Sequence, residues 1–264
     1  MLVGKDSLKT FESFLIQFEK DNSWKEDLLD IDEYKIENIE GAAPHWFMYH
    51  MHSLDFVREI VFSLNRFRYY IAKLLSWGDI IKLYSDKDKL DLLIDFIYPL
   101  AIVSIDYPYK IKNKIIYSAC YLCHFSNFLL KKRPVVKLPR DWDIDHNVFA
   151  QMVCGWSKYK ELDDSLAAVN SSSFREKTYN FRNSEHHSIP PKIEIGQSRL
   201  LRRISSEKGK YTFTFGGQQP LPIKFLVSLL EQEHINGLKA FKSFCVLMQE
   251  QRELFECNLT TGWS

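Results

Sequence analysis

Glycine is scarce in this chain, and the scarcity is concentrated in one region. The 264 residues include ten glycines, and none lies between Gly78 and Gly155. Rossmann and P-loop domains bind phosphate with glycine-rich turns at fixed spacings, and most β-sandwiches also need glycine in their turns. The sequence therefore excludes these folds, and we expect any phosphate contact to come from side chains.

The chain also lacks a strong net charge and the signals of export or membrane insertion. It has 35 Lys and Arg against 34 Asp and Glu, a formal net charge of +1. The start, Met1 to Asp6, has no basic and apolar leader, and the most apolar run, Leu92 to Ile105, is short for a membrane span and contains Asp95. Five cysteines, an odd number, favour a reducing compartment. These features predict a cytoplasmic protein without a membrane partner.

Hydrophobic periodicity predicts a mainly α-helical protein. Apolar residues recur with a helical period from Ser53 to about Leu83 and again from Ile111 to Leu130. Pro220 and Pro222 precede a last long helix with its own apolar stripe. The predicted fold is a helical bundle of long helices, formed as a single domain over residues 1–264.

One small β element is expected between these helices. Phe174 to His187 predicts a helix that ends before two prolines. Residues 192–216 then predict a β-hairpin, because Phe213 and Phe215 alternate with threonines and Glu207–Gly209 suits a turn. The hairpin is expected as an insertion before the last helix.

Two other patterns resemble a haem-attachment site and a zinc site, but neither predicts a function. Cys120–His124 has the spacing of covalent haem attachment, but its apolar helical setting and the missing export signal favour buried cysteines. His45, His50 and His52 are close in sequence, but their spacing suits zinc poorly and no carboxylate or thiol completes a ligand set. Solvated histidines among aromatic residues are favoured. We expect no cofactor and no metal site.

A denser chemical pattern brings Arg182, Asn183, His186 and His187 within one and a half helical turns. Histidine can move a proton at neutral pH, and arginine can pair with two phosphate oxygens. RNA cleavage needs both functions, because a base takes the 2′-hydroxyl proton and a cation stabilises the charge on the phosphoryl group. Arg182 and His186 share a helix face, whereas His187 shares it only if the helix frays before Pro190.

Arg182-Asn183 followed by His187 resembles the R-X4-6-H signature of the HEPN superfamily, with four residues between arginine and histidine. The resemblance implies an all-α, metal-independent endoribonuclease of a toxin–antitoxin or antiviral defence system. It implies a homodimer whose two motifs face each other, with RNA and an antitoxin or regulatory protein as partners. Arg182 is then the phosphate contact, His187 the general acid/base and Asn183 a supporting group. His186 has only three intervening residues and is a secondary candidate, and the hairpin is no part of the minimal HEPN bundle.

The charge distribution supports a nucleic-acid partner. Residues 172–210 contain nine basic and four acidic side chains, a net charge of +5, which leaves −4 for the remainder. A cationic stretch around an arginine and histidine motif suits an RNA backbone. The residues predicted to bind RNA are Arg175, Lys177, Arg199, Arg202 and Arg203.

The same residues also allow readings without catalysis. Arg182 and Glu185 can form an exposed ion pair, and histidines at a helix C-terminus are favourable without any function. Charge on an exposed strand also prevents edge pairing. The alternatives are therefore a non-catalytic helical module that binds RNA or a nucleotide, and a helical protein-interaction module.

Overall fold

A computed structural model describes residues 5–39, 44–130, 137–205 and 211–261, and the fold is mainly α-helical and bundle-like, as the sequence predicts. These residues contain nine α-helices and two β-strands. In chain order they are α1 (Lys5–Lys20), α2 (Pro44–Ile80), α3 (Asp86–Leu92), α4 (Tyr98–Leu129), α5 (His146–Val153), α6 (Tyr159–Ala168), α7 (Ser172–Lys177), α8 (Phe181–His187), β1 (Leu201–Ser205), β2 (Tyr211–Phe215) and α9 (Ile223–Thr261). Although α2, α4 and α9 each exceed 30 residues, no helix within the described ranges is long and apolar enough to cross a bilayer.

Helix α2 begins earlier than the apolar pattern predicts. Its first residue is Pro44 rather than Ser53, and it ends at Ile80, where a 3₁₀ turn continues to Leu83. Proline suits the first position of a helix because the N–H it lacks would have no helical partner there. The predicted end at Leu83 agrees with the structure once this turn is included.

Helix α4 is one helix, and the prediction that a segment starts only at Ile111 was wrong. Pro108 lies inside the helix. It removes the hydrogen bond that an N–H at this position would donate to the Ser104 carbonyl. The flanking Ile105 and Ile111 are both buried, so apolar packing keeps the chain helical across the lost bond.

The β-hairpin before the last helix is confirmed. Strands β1 and β2 pair antiparallel, with Leu201 opposite Phe215 and Arg203 opposite Phe213. The strands are shorter than the predicted range, since Ile193 forms only an isolated bridge with Leu221. The predicted turn at Glu207–Gly209 lies outside the described residues.

The chain divides into two compact units, each assembled from three stretches. Unit 1 contains Met1–Asp27, Phe67–Asp106 and Ser171–Gln232, and unit 2 contains Leu28–Arg66, Tyr107–Asn170 and Glu233–Ser264. Helices α2, α4 and α9 therefore contribute residues to both units. The single domain over the whole chain stays a prediction.

The core of unit 1 is built around stacked aromatic rings. Phe14 of α1 stacks on Trp77 of α2 at 4.4 Å between centroids, and Trp77 stacks on Phe96 at 4.9 Å. The hydroxyls of Thr10 and Tyr84 form a hydrogen bond of 2.7 Å beside them. Such rings bury large apolar areas, so they hold α1 against α2.

Unit 2 has a buried polar chain inside its apolar core. The Tyr49 hydroxyl of α2 donates to Gln251 Oε1 of α9 at 2.5 Å, and Gln251 Nε2 donates to Cys123 Sγ of α4 at 3.0 Å. All three side chains are fully buried. Because each polar group has a partner, the chain links three helices without leaving an unpaired donor at these atoms.

Two glycines mark places where a long helix closely approaches its neighbours. A Cβ at Gly78 would lie 2.9 Å from the Cγ2 methyl of Ile223, whereas a Cβ at Gly237 would meet the Cδ2 end of Leu64 at 3.1 Å. The Ile223 methyl is attached to a branched Cβ and moves little, but the end of a leucine can move. We conclude that Gly78 is the stricter requirement.

We therefore expect Gly78→Ala to lower the free energy of unfolding by about 1–2 kcal/mol, as overpacking outweighs the gain in helix propensity. Gly237→Ala is the matched control and should stay within about 1 kcal/mol of the unchanged protein. Urea unfolding of both variants measures the difference. Equal stability of the two would contradict the close approach at Gly78.

Candidate functional site

The predicted helix Phe174–His187 is broken into α7 and α8. Tyr179 and Asn180 adopt left-handed backbone conformations, with φ of 54° and 53°. Tyr179 N donates to the Glu176 carbonyl and Asn180 N to the Arg175 carbonyl, which together form a Schellman ending for α7. Glycine usually occupies the left-handed position of this motif, and tyrosine gives no sequence signal for it. The uninterrupted helix was therefore a wrong prediction.

The Arg182 side chain is fixed by an ion pair to helix α4. Its Nε donates to Asp106 Oδ1 at 2.6 Å, and the two side chains are 37% and 21% exposed. The anticipated pair of Arg182 with Glu185 is thus replaced by one with a residue far away in the sequence. Glu185 instead accepts a hydrogen bond of 2.8 Å from the Tyr98 hydroxyl.

Tyr98 and Phe181 complete the attachment of α8 to α4. Their rings are 6.0 Å apart, and Phe181 is almost fully buried. Burial raises the pKa of Tyr98 well above its ordinary value, and the hydrogen bond to Glu185 raises it further. The phenol is therefore protonated at any physiological pH and acts as a constant donor to Glu185.

Arg199 holds the other end of α8. Its Nη2 donates to Ser184 Oγ at 2.8 Å and to Ser188 Oγ at 3.2 Å, and its Nε donates to the Ile189 carbonyl at 3.0 Å. Among the described residues all of these acceptors are neutral, so no carboxylate offsets the charge of this guanidinium. Arg199 is thus a cation at the end of the motif helix whose described hydrogen-bond acceptors are all neutral, and sequence reasoning had not connected it with α8.

The two histidines end α8 and face outward. His186 and His187 are exposed, and their ring centroids are 6.2 Å apart at 54° between planes. At 3.6 residues per turn, His186 lies about 40° around the helix from Arg182 and His187 about 140°. Because α8 remains helical through His187 and Ser188 N donates to the Ser184 carbonyl, no fraying brings His187 onto the face of Arg182.

The remaining predicted site residues lie on α7, α8 and β1, and not all of their side chains are described. Asn183 is exposed on α8, and Arg175 and Lys177 are exposed in the last turn of α7. Arg202 and Arg203 belong to β1, but their side chains lie outside the described residues. Of the cations predicted to bind RNA, Arg175, Lys177 and Arg199 are therefore the ones whose side chains are described.

The hairpin contributes exposed aromatic side chains rather than described cations. Phe213 and Phe215 are 60% and 88% exposed. Being two residues apart on β2, they lie on the same face of the strand, and Thr212 and Thr214 lie on the other. Phenylalanine side chains are seldom this exposed on a surface that binds nothing. Two flat rings on one face of a strand are suited to stacking on nucleobases.

The two other chemical patterns in the sequence are packing features. Cys120 and Cys123 are buried in α4, and burial raises the pKa of Cys120 to about 12, as expected of inert cysteines. His50 and His52 are half-buried against aromatic rings, so the expectation of solvated histidines was wrong for this pair. The side chain of His45 lies outside the described residues.

Within the described part of the chain, no group of three or more His, Cys, Asp or Glu side chains is arranged to hold a metal ion. No protein-family model, no curated protein and no solved structure matches this chain. The case for a function therefore depends on the geometry around α8.

The Arg182–Asp106 pair should contribute measurably to stability. In a double-mutant cycle with Arg182→Ala and Asp106→Ala, we expect a coupling of about 1 kcal/mol, because the two side chains are only partly exposed to water. The control pair is Arg58 and Asp55, whose side chains are 61% and 62% exposed, with an expected coupling below about 0.5 kcal/mol. Urea unfolding gives both values, and a coupling near zero for Arg182–Asp106 would show that this pair does not hold α8.

Proposed function

We propose that this protein is a metal-independent endoribonuclease of HEPN type, with its catalytic groups on α8. The observation that carries the proposal is the pair of exposed imidazoles, 6.2 Å apart, at the end of a helix that Arg199 holds through neutral partners. Arg182 and Asn183 precede the pair on the same helix. This arrangement supplies proton-transfer groups and a positive charge in one place.

The chemistry follows from these groups. A neutral imidazole accepts the proton of the 2′-hydroxyl, whose oxygen attacks the adjacent phosphorus. The bond from phosphorus to the 5′-oxygen breaks, and a protonated imidazole gives its proton to the leaving oxygen. The products are a 2′,3′-cyclic phosphate and a 5′-hydroxyl. Guanidinium groups stabilise the negative charge that develops on the phosphoryl oxygens, so the scheme needs no bound metal.

The helix geometry favours a site made by two copies of the chain. Arg182 and His187 lie about 140° apart around α8, so one helix presents them in different directions. Two α8 helices that face each other can place Arg182 of one copy beside His187 of the other. His186 lies about 40° from Arg182 and would serve in the same copy.

A second candidate function is RNA binding without cleavage. It is favoured by the Asp106 carboxylate, which pairs with Arg182 and reduces its attraction for phosphate. The exposed Phe213 and Phe215 give this candidate a surface on which bases can stack. Both candidates predict RNA binding, and only turnover distinguishes them.

Cleavage of RNA in the presence of EDTA is the first expected outcome, with cyclic-phosphate ends detected by mass spectrometry. Arg182→Ala and His187→Ala should each reduce the rate by about 100-fold or more, since each removes a group needed for proton transfer or charge stabilisation. His146→Ala is the matched control and should retain the rate, because His146 pairs with Asp163 of α6 and both residues belong to unit 2, whereas α8 belongs to unit 1. Intact RNA after incubation with wild-type dimer would contradict catalysis.

Mixing subunits tests the shared site. In a dimer of one Arg182→Ala chain and one His187→Ala chain, one of the two composite sites keeps both groups. Random assembly of equal amounts should therefore restore about a quarter of the wild-type rate. If the mixture stays as inactive as its components, the two residues act within one chain.

The contribution of the hairpin is tested by binding to a short single-stranded RNA, followed by fluorescence anisotropy. The Phe213→Ala/Phe215→Ala double variant should bind at least about tenfold more weakly, since stacking on an aromatic ring contributes about 1–3 kcal/mol per base. Thr212→Ala/Thr214→Ala changes the opposite face and should leave the affinity nearly unchanged. Equal affinities of the two double variants would remove the hairpin from the RNA-binding surface.

A further inference from the structure

Unit 2 contains a cavity that the endoribonuclease proposal does not use. Its volume is about 460 Å³, within the range of small-molecule sites. It lies between α2, α4 and the 3₁₀ turn Asp141–Asp143, whereas the whole of α8 belongs to unit 1. The cavity thus requires an explanation of its own.

Aromatic rings form much of the wall. Phe56 of α2 and Tyr117 of α4 meet edge to face, with centroids 5.8 Å apart and an interplanar angle of 89°. Tyr109 of α4 and the largely exposed Trp142 also line the cavity. Rings around an open space favour a ligand that is itself flat and aromatic, because stacked and edge-to-face contacts are both available.

Asn113 gives the cavity a directional polar group. It is exposed and lines the cavity, and its side-chain amide has no hydrogen-bond partner among the described residues. Its amide offers a donor and an acceptor side by side, which is the pattern that pairs with the edge of an adenine base. Aromatic walls alone accept any flat ring. The Asn113 amide therefore gives the cavity a preference for one kind of base.

The charges that line the cavity disfavour phosphate. Lys114 Nζ, a cation, donates to Glu59 Oε2 and to Ser63 Oγ, both at 2.9 Å, so a carboxylate already compensates it. Asp141 adds a further negative charge to the lining. Burial and the Asp141 carboxylate raise the pKa of Tyr117, so this phenol stays neutral. The charged lining residues sum to about −1, which repels an anionic ligand.

We propose that this cavity binds a nucleobase or nucleoside without phosphate, with adenine as the preferred base. The ring stacks among Phe56, Tyr117 and Trp142, and the Asn113 amide pairs with the edge of the base. The site does not depend on the endoribonuclease proposal, because none of its residues belongs to α8.

Isothermal titration calorimetry of the full chain with adenosine and with adenosine 5′-monophosphate tests the site. Adenosine should bind about fivefold or more tightly than the monophosphate, because of the negative lining. Asn113→Ala should weaken adenosine binding by about fivefold, the loss expected for hydrogen bonds to a neutral group. Thermal unfolding of each variant checks that the fold is kept.

Charge variants supply the matched pair. Asp141→Asn removes a carboxylate that lines the cavity and should reduce the preference for adenosine over its monophosphate by about threefold. Asp164→Asn is the control, because Asp164 pairs with Lys160 on α6 and neither residue lines the cavity, so the preference should stay within twofold. No binding of adenosine, tighter binding of the monophosphate, or unchanged affinity in Asn113→Ala would each overturn the proposal. None of these results bears on RNA cleavage by His187, so the two proposals fail separately.

Discussion

Burial of the apolar faces of α2, α4 and α9 is the constraint on which the rest of the structure depends. Their side chains Phe67, Ile111 and Phe241 are fully buried, and each of the three helices supplies residues to both compact units. By contrast, α3 and α5–α8 have ten residues or fewer. Helices of that length are marginal in water on their own. Their positions, including that of the motif helix, are therefore set by what the long helices offer them.

Arg182 and Arg199 differ in whether a carboxylate compensates their charge, a difference that the sequence does not reveal. Arg182 is the arginine of the motif, yet its guanidinium is paired with Asp106. Arg199 was predicted to bind RNA as part of a basic stretch, and it contacts neutral oxygens of Ser184, Ser188 and Ile189. A guanidinium without a carboxylate partner keeps its full attraction for phosphate. The net charge of +5 over residues 172–210 is thus less informative than the partner of each cation.

Much of the fold could be predicted from the sequence, because long apolar stripes and strand alternation are local and periodic signals. The long α9, the hairpin and its place before α9 follow from such signals. The break at Tyr179 was missed, since tyrosine carries no preference for a left-handed conformation and the following Asn180, which tolerates it, is the one local signal. The partner of Arg182 could not be predicted either, because Asp106 lies 76 residues away within an apolar helix. The motif was visible in the sequence, but its surroundings were not.

The pairing of Arg182 with Asp106 does not conflict with the proposed role of Arg182 at a phosphate, because Arg182 and Arg199 contribute in different ways. A guanidinium that is paired with a carboxylate keeps its own charge, but its net attraction for phosphate is reduced while its orientation is fixed. Arg199 keeps its charge and lies against the end of α8, where His186 and His187 are exposed. Orientation by one arginine and attraction by the other then accounts for why a cationic segment contains a carboxylate-paired arginine at the centre of its motif. Without Arg199, the Asp106 carboxylate would offset the charge of the one arginine within α8, and an RNA backbone would be attracted less strongly to the two imidazoles.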